Sequence, residues 1–188
     1  MSKAILISIK PEWVAKILNG EKTIEIRKTK PKQYLNDYNF EAYDVYIYCT
    51  KGKPDIEPVL SLKGVGVIAE PIKPNYLNGK VVAKFSLNKI EQVYWVNERP
   101  KTKTLFAYDI LKNSRLSQED FENYVGDSQS YAWHIEELEI FDKPKELSDF
   151  LIKSHKVQGI DKNGGNKTFT ILKPLTKAPQ SWCYVKGE

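Results

Sequence analysis

Ser8-Ile9-Lys10-Pro11-Glu12-Trp13 leads through a short apolar-striped segment into Gly20-Glu21-Lys22-Thr23-Ile24-Glu25-Ile26-Arg27, and this stretch sets out one helix-turn-strand unit. Pro11 suits a first helical residue, because the amide it lacks would be unpaired there in any case. Trp13, Val14, Ile17 and Leu18 recur at helical spacing, and Asn19-Gly20 supplies a left-handed stop, so the pattern predicts a helix from about Pro11 to Asn19. A strand from about Thr23 to Lys28 follows. Its two-residue period turns Ile24 and Ile26 to the core and places Thr23, Glu25 and Arg27 on the opposite face, with Lys22 at the strand entrance.

A glycine turn lets another molecule approach the backbone closely, and three ionisable side chains beside it suit a polar, anionic ligand. The competing reading is an exposed Glu25–Arg27 pair in solvent, an arrangement that is common and contributes about 0–1 kcal/mol. Two roles stand open for Lys22. As a cation it binds a phosphate or polarises a carbonyl; as a general base it must shed its proton near neutrality, which burial and Arg27 favour and Glu25 opposes. Glu25 is a candidate acid, base or hydrogen-bond acceptor, and Arg27 a bidentate grip for phosphate or carboxylate. Lys22 and Glu25 are therefore the candidate catalytic pair, flanked by Lys10, Thr23, Arg27 and Lys28 as candidate binding residues.

Working outward, Ala4 to Ile9 and Val45 to Cys49 read as strands, and Val59 to Ala69 as a weaker one through Gly64 and Gly66. Lys80 to Val96 reads as one long central strand. Residues 97–116 mix charged and apolar side chains and read as an insertion. Ser117, with Glu119 and Asp120 behind it, marks a helix start; Phe121 and Tyr124 form its buried face and Gly126 ends it. A strand over Ala132 to Phe141, a short helix over Lys145 to Ile152, a hairpin at Asn163-Gly164-Gly165-Asn166 and a closing strand over Ala178 to Val185 complete the chain. Many short strands with two or three short helices predict an α+β protein built on a small mixed β-barrel.

Aromatic residues supply further candidates. In a strand, Tyr131, Trp133 and Ile135 share one face; if it lines a cleft, Tyr131 and Trp133 stack on a base, and if it faces inward they are core. Tyr48 and Thr50 lie two apart on one strand face and present hydroxyls together, while Trp182 follows the polar pair Gln180-Ser181. His134 reads as a structural histidine.

At 188 residues with 41% hydrophobic and 12% aromatic content, the chain is long and apolar enough for one folded domain, not a disordered tract. The net charge of +5 is compatible with a nucleic-acid or nucleotide partner. Locally, Lys22, Arg27, Lys28, Lys30 and Lys32 are answered only by Glu25, and a second basic area runs from Lys143 through Lys177. Cys49 and Cys183 lack CxxC spacing and read as buried thiols; with two histidines and no thiol cluster, no metal site and no cofactor are expected. Ala4-Ile5-Leu6-Ile7 is too short for a signal peptide or a membrane span, so a cytoplasmic protein without membrane contact is expected.

Ser-Ile-Lys-Pro-Glu, a helix and Gly-x-Lys-x-x-Glu-x-Arg resemble the opening of the ASCH domain, a branch of the PUA-like superfamily with the YTH and EVE domains. Tyr46-Ile47-Tyr48-Cys49-Thr50, the stretch from Gly79 to Val93, Tyr124-Val125-Gly126, Tyr131-Ala132-Trp133-His134-Ile135 and Lys143-Pro144-Lys145-Glu146-Leu147 extend the resemblance in order. It implies a PUA-like barrel that binds RNA, a nucleotide or a nucleoside in a cleft lined by Lys22, Glu25 and Arg27. Relatives that hydrolyse N4-acetylcytidine carry Gly-x-Lys-Thr-x-Thr-x-Arg; Lys22 and Thr23 match it, and Glu25 stands where the second threonine would be. The resemblance thus implies RNA or nucleotide binding first. A metal-independent ribonuclease or an amidohydrolase on a modified nucleoside is the alternative, and a regulatory protein-interaction domain is the third reading.

Overall fold

The β1 strand, Lys3–Ile9, carries the apolar run Ala4–Ile7 because both of its faces are covered there. Ile5, Ile7 and Ile9 enter one core cluster, and Ala4 and Leu6 enter another on the opposite face of the sheet. In this computed structural model, residues 3–32, 42–53, 77–96, 99–102, 104–126 and 128–187 are described. The elements that follow β1 are α1 (Pro11–Leu18), β2 (Ile24–Arg27), β3 (Tyr43–Cys49), β4 (Val81–Leu87), β5 (Ile90–Val96) and β6 (Arg99–Lys101). Then come α2 (Ala107–Ser114), α3 (Gln118–Val125), β7 (Ser130–His134), β8 (Glu136–Lys145), β9 (Leu151–Ile160), β10 (Asn166–Pro174) and β11 (Trp182–Lys186). The strand expected over 59–69 lies outside the described residues.

Among the described residues the strands form a five-stranded sheet in the order β11-β1-β3-β4-β8, a four-stranded sheet in the order β2-β7-β5-β6, and the β9-β10 hairpin. The fold is therefore mixed α+β, with three α-helices among the described residues, and the described strands do not close into the expected barrel. β1 and β3 run parallel, with Ile5 beside Val45 and Ile9 beside Cys49; every other pairing is antiparallel.

Where the sequence predicts one long strand over Lys80 to Val96, two form, because the chain leaves the five-stranded sheet after Leu87 and enters the four-stranded sheet at Ile90. The run from Ala132 to Phe141 divides in the same way at Ile135, between β7 and β8. The two corners meet, since the His134 amide donates to the Lys89 carbonyl at 3.0 Å. Sheet exchange at paired corners preserves the alternation of each strand while turning its ladder to a new partner. The helix expected over Lys145 to Ile152 is only a 3₁₀ turn at Leu147–Asp149, closed by reciprocal Glu146 and Asp149 capping; β8 and β9 take the residues on either side.

One core cluster joins Ile5, Ile7, Val45, Phe85, Val14, Ile17 and Trp133 between the five-stranded sheet and α1. A third, under β2 and β7 and distinct from the cluster of Ala4 and Leu6, packs Ile24, Ile26 and Ala132 against Ile110 of α2 and Phe121 and Val125 of α3. Burying each aliphatic or phenyl side chain of this kind stabilises by roughly 1.5–3 kcal/mol. The Ser117 side chain caps α3 by accepting from the Asp120 amide at 3.0 Å, as its sequence predicts. Phe121 is buried, but Tyr124 is 40% exposed, because the inward stripe of this short helix is Phe121 and Val125, four residues apart.

Candidate functional site

Lys22 owes its position to two helix ends. α1 stops at Leu18, Gly20 takes φ 73°, and the Glu21 and Lys22 amides both donate to the Lys16 carbonyl at 2.9 and 3.0 Å. The next residue docks on α2: the Thr23 amide donates to the Asn113 carbonyl at 2.9 Å, and Lys22 Nζ donates to the Ser114 carbonyl at 2.7 Å. These are carbonyls of the last turn of α2, which have no partner within their own helix and carry its negative dipole end. Residues 97–116, read from sequence as an insertion, therefore supply the seat of the central lysine.

From that seat Lys22 Nζ reaches Glu25 Oε2 at 3.1 Å, and Glu25 Oε1 meets Arg27 Nη2 at 3.0 Å. Arg27 continues the chain of contacts, donating from Nη2 to the Ser8 carbonyl at 2.7 Å and from Nη1 to Ser181 Oγ at 3.3 Å. The three residues are 3%, 8% and 7% exposed, so this is not the solvent pair of the competing reading. Burial pulls the Lys22 ammonium below its ordinary pKa; Glu25 opposes the shift, while Arg27 and Lys16 add to it. Trp13 stands over the same amine, its ring centroid 5.4 Å from Nζ.

Lys22, Glu25 and Arg27 line a cavity of about 1060 Å³ between the ends of β1 and β3, the start of α1, β2 and the segment before β11. Lys10, Tyr48 and Thr50 line it too, so six of the residues singled out in the sequence converge. Its charged lining is Lys10, Lys22, Arg27, Lys51 and Lys177 against Glu25 and Glu146. Tyr124 adds an aromatic wall, and burial raises its hydroxyl pKa.

The other five lie elsewhere. Thr23 is exposed and contributes only backbone bonds, its carbonyl accepting from the Ile135 amide at 2.9 Å. Lys28 is exposed, with its amine 5.6 Å from the Tyr124 ring centroid. Trp133 and Tyr131 sit directly across the β2-β7 ladder from Glu25 and Arg27, and so share their sheet face. Both are nevertheless core: Trp133 is fully buried, and Trp182 lies on it with ring centroids 5.8 Å apart. Trp182 is half-buried, outside the cavity lining, and its Nε1 donates to Thr29 Oγ1 at 3.0 Å.

Sequence reasoning missed Ser8, Ser181, Lys51, Lys177, Glu146 and Tyr124. Ser181 alone had a local signal, in the polar run ahead of Trp182; the rest reach the cavity through long-range pairing that no local period encodes. His134 bonds Glu91 Oε2 at 3.0 Å away from the cavity, and Glu91 also accepts from Thr102 and Thr104. Cys49 is a buried free thiol, as expected, and Cys183 a half-buried one. Among the described residues no group of three or more His, Cys, Asp or Glu is placed to hold a metal ion, and no helix is long and apolar enough to cross a membrane.

No family model and no curated protein matches the chain. Among solved structures, a single-residue variant of ASCH from Zymomonas mobilis aligns over 97% of this chain and 88% of that chain, at TM-score 0.51 and 15% identity. The fold is that of an ASCH domain. The crystal structure of ASCH from Zymomonas mobilis aligns over 77% of this chain and 73% of that chain, at TM-score 0.47 and 19% identity. In this ASCH fold, Lys22, Glu25 and Arg27 of the opening motif form the cavity's ion-paired floor.

Proposed function

We propose that the cavity binds a nucleotide, free or as one unit of an RNA strand, and that residues 1–188 act as one domain, with 97–116 inserted to seat Lys22. The observation that carries this reading is the buried line Lys22–Glu25–Arg27 on the floor of a net-positive cavity. Removing ions from water costs several kcal/mol each, and a buried ion pair is seldom more stabilising than apolar packing of the same volume. A floor of three such residues is thus poorly explained by stability and well explained by recognition. Surplus cations suit phosphate, Glu25 suits the amino edge of a base, and Trp13, Tyr48 and Tyr124 offer flat apolar faces. A volume of about 1060 Å³ is ample for a nucleotide, since small-ligand pockets span roughly 300–1,000 Å³.

The test is calorimetric titration of nucleoside monophosphates and a short RNA into the protein, Lys22→Met and Lys10→Gln. Both variants weaken binding on this reading. Lys10 is exposed, so its substitution spares the fold; unchanged affinity in both would remove the cavity as the binding site.

One observation favours a second, enzymatic reading, in which a ribonuclease or a nucleoside amidohydrolase works in the same cavity. Burial shifts Lys22 toward the free amine, the form that takes a proton from an attacking water or hydroxyl. Product formed from RNA or an acylated nucleoside with chelator present, and lost in Lys22→Met, would support it; no product from either substrate leaves binding alone.

A further inference from the structure

The β9-β10 hairpin stands apart from both sheets. Among the described residues its strands pair only with each other, and their principal contacts with the body are to β11 and the 3₁₀ turn at its base. Between Lys153 and Ile171 every residue is exposed except Gly159 and Asp161, so neither face of the ribbon is covered. At about 3.3 Å per residue, strands of ten and nine residues make an arm roughly 30 Å long.

Lys153, Lys156, Lys162, Lys167 and Lys173 lie on this arm, with His155, and none of these lysines has an ion-pair partner among the described residues. Its one acid, Asp161, is engaged in the turn, where Oδ1 accepts from the Asn163 and Gly165 amides at 2.9 Å each. The arm also presents an aromatic platform. Phe169 is paired across the ladder with Val157, its ring lies over Gly159 closely enough that a Cβ there would come within 2.9 Å, and Lys167 pairs with Gly159 on that face. Phe169 remains 39% exposed. At the arm's base the chain passes through Leu175, Thr176 and Lys177, all of which line the cavity.

We propose that the β9-β10 arm is a second binding surface for single-stranded nucleic acid, which carries a strand outward from the cavity along unpaired lysines and the Phe169 platform. Charge selects the partner: Lys167 and Lys173 share the Phe169 face, Lys162 stands at the turn and Lys156 lies on the opposite face. Uncompensated cations along the ring's face call for a polyanion, and an open ring flanked by lysine suits a base joined to phosphate. An acidic protein satisfies the charge but gains nothing from the ring. This inference extends the nucleotide-binding reading of the cavity and is separable from it.

The experiment follows fluorescence anisotropy of a labelled oligouridylate of about 15 nucleotides against the whole protein, a Lys162→Gln/Lys167→Gln/Lys173→Gln variant, which takes the turn lysine and the two on the Phe169 face, and Phe169→Ala, across a salt series. Each phosphate contact on a single strand adds about 0.7 to the slope of log K against log salt, so the triple variant lowers that slope by about 2. Phe169→Ala weakens binding at least about fivefold with the slope unchanged. Cytidine monophosphate binding, reported by the cavity, is unaltered in both variants. Unchanged oligouridylate affinity and slope in the triple variant would overturn the proposal, as would absence of oligouridylate binding at low salt, or equal binding of a polyglutamate of matched charge. A failed cavity reading looks different: Lys22→Met would leave mononucleotide affinity intact while the arm variants still lost the oligonucleotide.

Discussion

Glu25→Gln probes the ion-paired floor most sharply. The substitution keeps side-chain shape but removes the charge that answers both Lys22, at 3.1 Å, and Arg27, at 3.0 Å. Two cations then remain in a site where neither is more than 7% exposed. Removing one partner of a buried pair costs about 3–5 kcal/mol, against about 0–1 kcal/mol for a pair in solvent. Lys22 limits the loss, because burial already pulls its pKa down and the influence opposing that shift is Glu25 itself; without it the amine sheds its proton more readily. For a chain of 188 residues each kcal/mol moves the thermal midpoint by about 2–4 °C, so a fall of roughly 6–20 °C is expected, toward the lower end. Thermal unfolding followed by tryptophan fluorescence reads it. Lys22→Met combined with Glu25→Gln should recover part of the loss, since one of the two orphaned cations is gone and only Arg27 remains. A shift under about 2 °C for Glu25→Gln, with nothing recovered in the double variant, would show the three charges to be effectively solvated and refute the argument from burial.

Two further expectations concern pH. Lys22 has a folded pKa below the 10.5 of the unfolded chain, so between those values the unfolded state binds more protons and stability rises with pH; the contribution is complete above 10.5 and lost as pH falls through the folded value. Urea midpoints should therefore show the wild type gaining on Lys22→Met from neutral pH toward 10.5, and a constant difference would contradict the shift. Burial pushes the Cys49 thiol from 9.0 up to about 12, so its stabilisation is present below 9.0 and lost as pH rises through about 12. In a Cys183→Ser background, the folded protein at pH 9 should resist a thiol reagent that reacts at once in urea, and rapid native labelling would count against it.

The site's floor was legible because it is local. Helix, glycine stop and two-residue strand period fall within residues 8–27, and they place Lys22, Glu25 and Arg27 without any long-range information. Its walls were not, since Ser181 and Lys177 arrive from more than 150 residues away through the pairing of β11 with β1. Trp133 shows the limit of facing rules. Period correctly puts it on the face of Glu25, but whether that face is wet depends on Trp182, which comes from another strand. The two long strand-like runs were read as single strands because alternation continues through Asn88 and Ile135 even where the ladder changes sheets. α2 escaped notice for a different reason: its N-cap, Phe106, gives no side-chain cap and it ends on Arg115 in the left-handed conformation where glycine is usual, so neither end carries a start or stop signal, and its importance lies in where its last carbonyls end up.

Calorimetric titration of cytidine monophosphate, whose base carries an amino edge, into the wild type and into Lys22→Met, with the fold of each verified by near-ultraviolet circular dichroism, tests most directly whether this floor recognises a ligand. Loss of a charge-assisted contact removes about 1.5–3 kcal/mol, which is a weakening of at least about tenfold. An equal dissociation constant for the two folded proteins would contradict the account.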